Sequence, residues 1–556
     1  MLESLRGQRK RLASVLENGA ATTRLLACTG VLQSIHAKGI LRFVRDIRWS
    51  RRALEPTLAL RWYAASQGDK LFVADEKEIL TYQEAHDRVE ELCHGLAAHI
   101  KQGQRVALML PNCVDYVLLQ IATLKIGATS VHVGTKLKAK EIQHVFENSK
   151  ICAVIYHKDF EETIDKVSEN SPLVFSRFVT EESSSAKHKS LSSLRNLSSA
   201  QFQPQRLGSN IIYTSGTTGR QKGACRSYSG LGMTAVVDLI SKVGIRNDDK
   251  HLVVCPLYHS AAPAFMGMVL MLGGSLVTMK KFDEVELLET IQSMRITSVC
   301  VVPTMLARLV AISDRVLRRF DLSSLRWVMS GSAPLPPETA MAFQNKFGPM
   351  LWNFYGATET GLVTLASPTD HESHRGSVGQ PLRGNELKIL GDSGAEVPTG
   401  ETGELFVRNS MLISGYFADP IATNKSMNNG FFSVGDLAKI DHEGYLFIQS
   451  RVSDMVISGG VNIYPREIED ALRSLPQLED VAVIGRPDPL WGESLHAFVV
   501  ARDPNDRNTE AIEAHCRRSL AGYKRPKRYT FLPSIPRNAT GKIKKRELRA
   551  LSMTES

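Results

Sequence analysis

The chain runs to 556 residues, too long for one hydrophobic core, so two or more domains are expected. Its 43% hydrophobic and 23% charged residues are ordinary for a globular protein, and no apolar run approaches the roughly 20 residues that span a bilayer. Of the net charge of +10, a balance of +8 sits in residues 1–52 (eleven Lys or Arg against three acids), so the body lacks the distributed basic face that nucleic-acid docking needs.

The basic arm is taken as residues 1–60. Within it Ile40, Phe43, Val44 and Ile47 recur at i, i+3, i+4, i+7, with Arg42, Arg45 and Arg52 on the other side. This amphipathic helix suits peripheral contact with an anionic membrane, and equally a helix docked on its own domain. An Arg-rich, acid-poor segment also fits a mitochondrial presequence. After the arm, VALML (106–110), SVHV (130–133), CAVIY (152–156), IIY (211–213), HLVVC (251–255), SLVTM (275–279) and SVCVV (298–302) read as strands between longer helical patterns. Their near-continuous apolarity predicts a parallel sheet covered by helices on both faces. Residues 181–200 hold eight serines without an apolar period and read as a surface excursion. From about residue 385 the runs ELKIL, ELFVR and YLFIQ, broken by Gly, Pro and Asp, predict a turn-rich antiparallel region. Eight cysteines without a C-x-x-C pair argue against a zinc site or a disulfide framework and for a reducing, cytoplasmic setting.

The stretch YTSGTTGRQKGA (213–224) raises the first chemical question. Ser/Gly-rich sequence is commonly linker. Here Gly216, Gly219 and Gly223 would let backbone N–H groups turn inward as an anion nest, with Thr and Ser hydroxyls around it and Lys222 adding a mobile charge. It is not the G-x-x-x-x-G-K-[ST] pattern, and by itself it leaves linker and phosphate loop open. NFYGATETG (353–361) then offers Glu359, the lone carboxylate that Mg²⁺ needs beside phosphate oxygens. FFSVGDLA (431–438) offers Asp436 after a glycine turn, where it can accept both ribose hydroxyls.

With PLYH (256–259), GSAPLP (331–336), GYF (415–417), SRVSD (450–454), SGG (458–460) and PRNATGK (536–542), these motifs stand in an order that resembles the adenylate-forming superfamily of acyl-CoA synthetases, luciferases and non-ribosomal adenylation domains. The resemblance covers roughly residues 70 to 550. It implies a large α/β adenylation domain over 61–450, built of doubly wound subdomains and a small β-rich one. It also implies a hinge at 451–455 and a small mobile α+β lid over 456–556. By the same resemblance Thr214, Ser215, Gly216, Thr217, Thr218, Gly219 and Lys222 hold the β- and γ-phosphates of ATP. Ala333, Pro334, Tyr355 and Gly356 flank adenine, Thr358 touches the α-phosphate, Glu359 binds Mg²⁺, and Asp436 and Arg451 hold the ribose. Lys542 reaches from the lid to the α-phosphate and the acyl carboxylate. Ser453, where the family usually places Asp or Lys, and Asp454 form the hinge. Ser458, Gly459 and Gly460 admit the pantetheine arm of CoA, and YKRPK (523–527) supplies cations for its phosphates.

The implied reaction makes acyl-AMP from a carboxylic acid and ATP, then acyl-CoA. His259, Ala262 and Met266 are candidates for the acyl pocket, although SAAPAFMGMVLMLGG (260–274) also reads as plain helix core. A medium- or long-chain fatty acid is the expected substrate. The alternatives are an aryl or other carboxylic acid, transfer to an acyl carrier protein, or a silent acyl-nucleotide binding protein, against which intact Glu359, Asp436 and Lys542 speak.

Overall fold

Strands without a polar side end up buried on both faces. The computed structural model describes Thr29 and residues 56–171, 175–181, 187–195, 207–214, 222–227, 233–458, 461–538 and 541–554. The amphipathic stretch of the arm (residues 40–52), the core of the glycine-rich loop and Gly459–Gly460 therefore lie outside the described residues. Of the arm, only Thr29 and residues 56–60 are described; the latter begin a helix (Pro56–Gln67) that buries Ala59 and Leu60 in the core, while Thr29 is 2% exposed and its carbonyl accepts from Asn247 N at 3.1 Å.

The first sheet is built on β1 (Arg105–Met109), β2 (Thr129–His132), β3 (Ala153–Tyr156), β4 (Ser209–Thr214) and β5 (Lys222–Ser227). β1 pairs in parallel with β2 and β3, and β2 with β4, while β5 returns antiparallel to β4. Helix α1 (Val114–Lys125) crosses between β1 and β2 and is buried at Val114 and from Tyr116 through Leu124. A run such as VLLQIATL can be apolar all round because it has sheet on one side and neighbouring helix on the other. The serine-rich stretch departs from the expected surface excursion. Lys189–Ser190 forms an edge strand of this sheet, and His188 and Leu191 beside it are buried.

The second sheet carries β6 (Lys250–Val253), β7 (Ser275–Thr278), β8 (Ser298–Val301), β9 (Trp327–Ser330), β10 (Leu351–Ala357) and β11 (Gly361–Ala366). The ladder is parallel from β7 through β6, β8 and β9 to β10, and antiparallel pairs stand at its two ends, among them β11 against β10. Helix α2 (Ala261–Met271) links β6 to β7. Each of the seven predicted strands is found within one or two residues of its expected place, in parallel ladders covered by helices.

The third body is antiparallel, as the texture after residue 385 predicts. It runs through β12 (Glu386–Leu390), β13 (Gly403–Arg408), β14 (Asp436–Ile440) and β15 (Leu446–Arg451). A turn at Val452–Asp454 leads into the lid. There β16 (Val456–Ser458) and β17 (Val461–Ile463) form a hairpin, and helix α3 (Pro465–Arg473) packs on β18 (Leu478–Asp488). β19 (Gly492–Ala501) pairs with β18, and β20 (Arg528–Phe531) joins β19 in parallel before the C-terminal helix α4 (Lys545–Thr554). The lid has its own core around Val456, Ile468, Leu472, Val481 and Val499, so it is a separate folding unit.

Candidate active site

β14 and β15 place two opposite charges face to face. Their register pairs Asp436 with Arg451, and the side chains meet at 3.0 Å between Arg451 Nε and Asp436 Oδ1. Asp436, 6% exposed, also accepts from the Tyr355 hydroxyl at 2.6 Å, which ties the antiparallel body to β10. Asp436 raises the guanidinium pKa of Arg451 further, and burial followed by Asp436 pushes the Tyr355 phenol well up. Tyr355 is thus a permanent donor and Arg451 a permanent cation.

The next turn continues the site. Gly356 carries no side chain for a steric reason: a Cβ there would stand 2.0 Å from the Gly361 carbonyl oxygen. Thr358 Oγ1 lies 3.0 Å from Ser260 Oγ, joining this turn to the start of α2. Glu359, 7% exposed, accepts from the Tyr416 hydroxyl at 3.0 Å, and Lys222 Nζ stands 5.1 Å over the Tyr416 ring. Tyr416 thereby links the carboxylate to the lysine that ends the glycine-rich loop. β4 and β5 close that loop, because Thr214 and Lys222 pair as the last register of their hairpin. Ser215, Gly216, Thr217, Thr218 and Gly219 lie outside the described residues.

From the lid comes Lys542. Gly541 before it has φ +76° and packs so closely on the large domain that a Cβ would sit 3.0 Å from Thr304 Oγ1. The loop is braced by Lys542 N donating to Asn538 Oδ1 and Asn538 N donating to the Lys542 carbonyl, each at 2.9 Å. Lys542 is exposed to the cleft, between the lid and the large domain. Burial lowers its pKa most, Arg451 lowers it further, and Asp436 and Glu359 pull it back up. One cation has been brought next to another because two carboxylates accompany them. Lid and large domain are held in this pose by Arg466 Nη1 of α3, which donates to the Ile448 carbonyl of β15 at 2.9 Å. At the hinge, Arg549 of α4 reaches the Ser453 carbonyl at 3.2 Å and Asp454 Oδ1 at 3.1 Å.

A cavity of about 1460 Å³ opens between the domains and runs past these residues. Ala333, Pro334, Tyr355, Gly356, Thr358, Asp436, Arg451, Ser453, Asp454 and Lys542 all line it, as do His259 and Met266. His259 is pushed down to about 4, first by burial and then by Lys542, and its Nε2 has no hydrogen-bond partner among the described residues. Ala262 departs from expectation. It does not line the cavity but lies in the main core with Phe265 and Val269. Spacing of three and four residues puts those three on the inner face of α2, while Ala261, Ala264 and Gly267 face the cavity.

Ser458 is not part of the cavity either. It ends β16, pairs with Gly492, and sits near the exposed Ile457, Val461, Leu490 and Trp491 on another side of the lid. Within YKRPK, Lys524 is paired with Glu467 at 2.6 Å and Arg525 bonds the Leu520 carbonyl, so both are engaged inside the lid.

Sequence reasoning missed several contributors. Tyr416 stood in a quoted motif without a role. Asn112 carries no motif signal, yet its Nδ2 donates to the carbonyls of Val253 and Cys255 and its Oδ1 accepts from Leu257 N. It thereby fixes the segment that delivers His259. Arg466 of the lid and Thr304 of the large domain matter only because the two domains close on each other.

The family model described as AMP-binding enzyme matches residues 60–417, and that of the AMP-binding enzyme C-terminal domain matches 467–542. The chain belongs to the AMP-binding enzyme family. Among its relatives is a feruloyl-CoA synthase of an Amycolatopsis species, 35% identical over 84% of this chain and 93% of its own. Another is a long-chain-fatty-acid–CoA ligase of Mycobacterium tuberculosis, 32% identical over 82% of this chain and 89% of its own. A solved structure of o-succinylbenzoate CoA synthetase from Bacillus subtilis with its acyl-adenylate intermediate superposes with a TM-score of 0.77 at 28% identity, covering 88% of this chain and 97% of that one. This member of the family is an ATP-dependent acid–CoA ligase, and its relatives divide among aryl and aliphatic acids.

Proposed function

We propose that this ligase works in two half-reactions with two lid positions, on an acid with an extended apolar body. In the first, a carboxylate oxygen attacks the α-phosphorus of ATP, the bond to pyrophosphate breaks, and acyl-AMP forms. In the second, the sulfur of CoA attacks the acyl carbon and AMP leaves. The observation that carries the reading is Lys542 lining the cleft that Asp436 and Arg451 also line, within reach of the charge of Glu359, the lid pose suited to the first step.

In that pose each group has a task. Asp436 accepts from the ribose hydroxyls, held in place by Tyr355 and Arg451. Lys542 neutralises charge that builds between carboxylate and α-phosphate, and Thr358 donates to a phosphoryl oxygen. Lys222 and the glycine-rich loop receive the leaving pyrophosphate. Glu359, a buried carboxylate joined through Tyr416 to Lys222, fits a Mg²⁺ ion held mainly by phosphate oxygens, which would supply neutralisation of the leaving group. The closed lid keeps water from the mixed anhydride.

For the second step, the lid turns about Ser453 and Asp454 to bring Ser458, Gly459 and Gly460 to the site. The position of Ser458 outside the cavity supports the need for such a turn. Cavity walls of Ala, Gly and Met from α2 suit a medium- or long-chain aliphatic acid, the first candidate. An aryl acid is the second reading, favoured by polar side chains in the opposite wall and by the feruloyl-CoA synthase relative. The test is a carboxylic acid panel with ATP, Mg²⁺ and CoA, following pyrophosphate and AMP. If the aliphatic candidate is right, kcat/KM rises with chain length beyond hexanoate by up to about 0.8 kcal/mol per buried CH₂. A flat response to length with preference for aryl acids selects the second reading.

A further inference from the structure

The stretch PRNATGKIKK (536–545) has to deliver one lysine, and its backbone folds back on itself to do so. Arg537 and Ile543 form an antiparallel bridge, Lys544 N donates to the Pro536 carbonyl at 2.8 Å, and Gly541 N donates to the Asn538 carbonyl at 3.0 Å. Lys542 thus stands near the tip of a tight hairpin, with its side chain exposed to the cleft. A long, flexible, exposed side chain is aimed by the backbone that carries it. The peptide between Gly541 and Lys542 therefore decides where the cation goes.

That peptide is pinned from two sides. The large domain supplies Thr304, against which Gly541 packs. The lid supplies Arg537, whose guanidinium divides its donors. Nη1 donates to the Gly541 carbonyl at 2.7 Å, and Nη2 donates to Asp480 Oδ2 at 2.7 Å. Asp480 is itself turned to this task. The register of β18 on β19 slips between Leu478 and Asp480, a bulge of the kind that re-aims a side chain. Its other oxygen, Oδ1, accepts from Val481 N at 2.9 Å. About a quarter of each side chain is exposed (27% for Arg537, 24% for Asp480), so the pair adds little to stability. What the fork adds is direction, since a planar guanidinium fixes the relative placement of the two acceptors it holds.

We infer that Arg537 and Asp480 are positioning residues of the adenylation step. The pair fixes the Gly541 carbonyl relative to the lid sheet, so that closing the lid sets Lys542 on the attacked phosphate. Neither residue touches the reacting atoms, and neither matters once acyl-AMP has formed. This rests on the two-step reading of Lys542 above and deepens it.

Single-turnover acyl-AMP formation by the full chain tests the inference, with ATP, Mg²⁺ and the acid that the parent adenylates fastest in the panel above. Arg537→Met should slow that step about ten- to a hundredfold, the scale of a small misplacement of a catalytic group. Preformed acyl-AMP with CoA should still react at the parent rate. The deciding readout is a double-mutant cycle. If Arg537 works through Lys542, adding Arg537→Met to Lys542→Ala should slow acyl-AMP formation no further. Asp480→Asn, which can turn the atom facing Arg537 into a donor, should reproduce the whole pattern and carries the test should Arg537→Met not fold. An unchanged adenylation rate, an equal loss in both half-reactions, or a loss that adds in full to that of Lys542→Ala overturns the inference alone. If Lys542→Ala by itself spares acyl-AMP formation, the reading of Lys542 falls and takes the inference with it.

Discussion

Replacing Lys542 by Ala removes the cation that the lid carries into the cleft. Its environment sets the magnitude. Arg451 already supplies positive charge, but Arg451 is spent on Asp436 at 3.0 Å, so Lys542 is the cation left for the attacked phosphate. Losing one such preorganised contact costs about 3–4 kcal/mol, or about 10²–10³ in the adenylation rate. The same environment forecasts the effect on stability. Lys542 is exposed to the cleft and stands near the like charge of Arg451, so the Ala variant should melt no lower than the parent. Acid-dependent ATP–pyrophosphate exchange and single-turnover acyl-AMP formation measure the first half-reaction. Preformed acyl-AMP with CoA measures the second, which should proceed at near-normal rate. The parent should also lose adenylation as pH rises through a value below the ordinary 10.5 of lysine, because the cation is the active form. Equal losses in both half-reactions, or a melting temperature that falls with activity, would refute the reasoning and make Lys542 a structural residue of the lid.

Asp436→Asn keeps the shape but strands Arg451 and weakens the bond from Tyr355; KM for ATP should rise about ten- to a hundredfold, on the scale of a lost charge-assisted hydrogen bond, in steady-state kinetics at fixed acid. His132, His251 and His259 are each held down at about 4 by burial, so the unfolded chain takes up protons below pH 6.5 that the fold refuses. Urea unfolding should therefore show full stability above that pH and loss toward pH 4, up to about 3 kcal/mol per ring, with His251→Gln shallower by one proton. Deleting residues 1–52 should weaken flotation with anionic vesicles, binding by the full chain should fall as salt rises, and activity on a soluble acid should persist. Unfolding on truncation would instead assign the arm to the docked alternative, to which the buried Thr29 already points.

Part of the site was legible because its residues are close together in sequence. Glu359 and Thr358 lie on one turn after Gly356, and the hairpin of Thr214 and Lys222 is announced by apolar residues running into glycines. Local spacing also exposed the parallel strands, since burial on both faces leaves no polar alternation. Other contributions were not legible. Asn112 acts on Val253, Cys255 and Leu257, some 140 residues away, and a buried Asn in a loop reads like any turn residue. Ala262 was misplaced because small residues on α2 face both core and cavity, and only packing says which side is which.

The amino-acid sequence by itself determined the chemistry: which carboxylates, cations and glycine turns exist, and the family order in which they stand. It could do so because each motif needs particular atoms at short separations. The tertiary structure alone decided which of them meet. The ion pair of Asp436 with Arg451 depends on strand register, and the seat of Lys542 depends on a lid closing against Thr304. The hold of Arg537 on Gly541 and Asp480 depends on a hairpin folding back against a bulged strand. Such encounters are set by long-range packing free energy summed over many side chains, which no local pattern encodes.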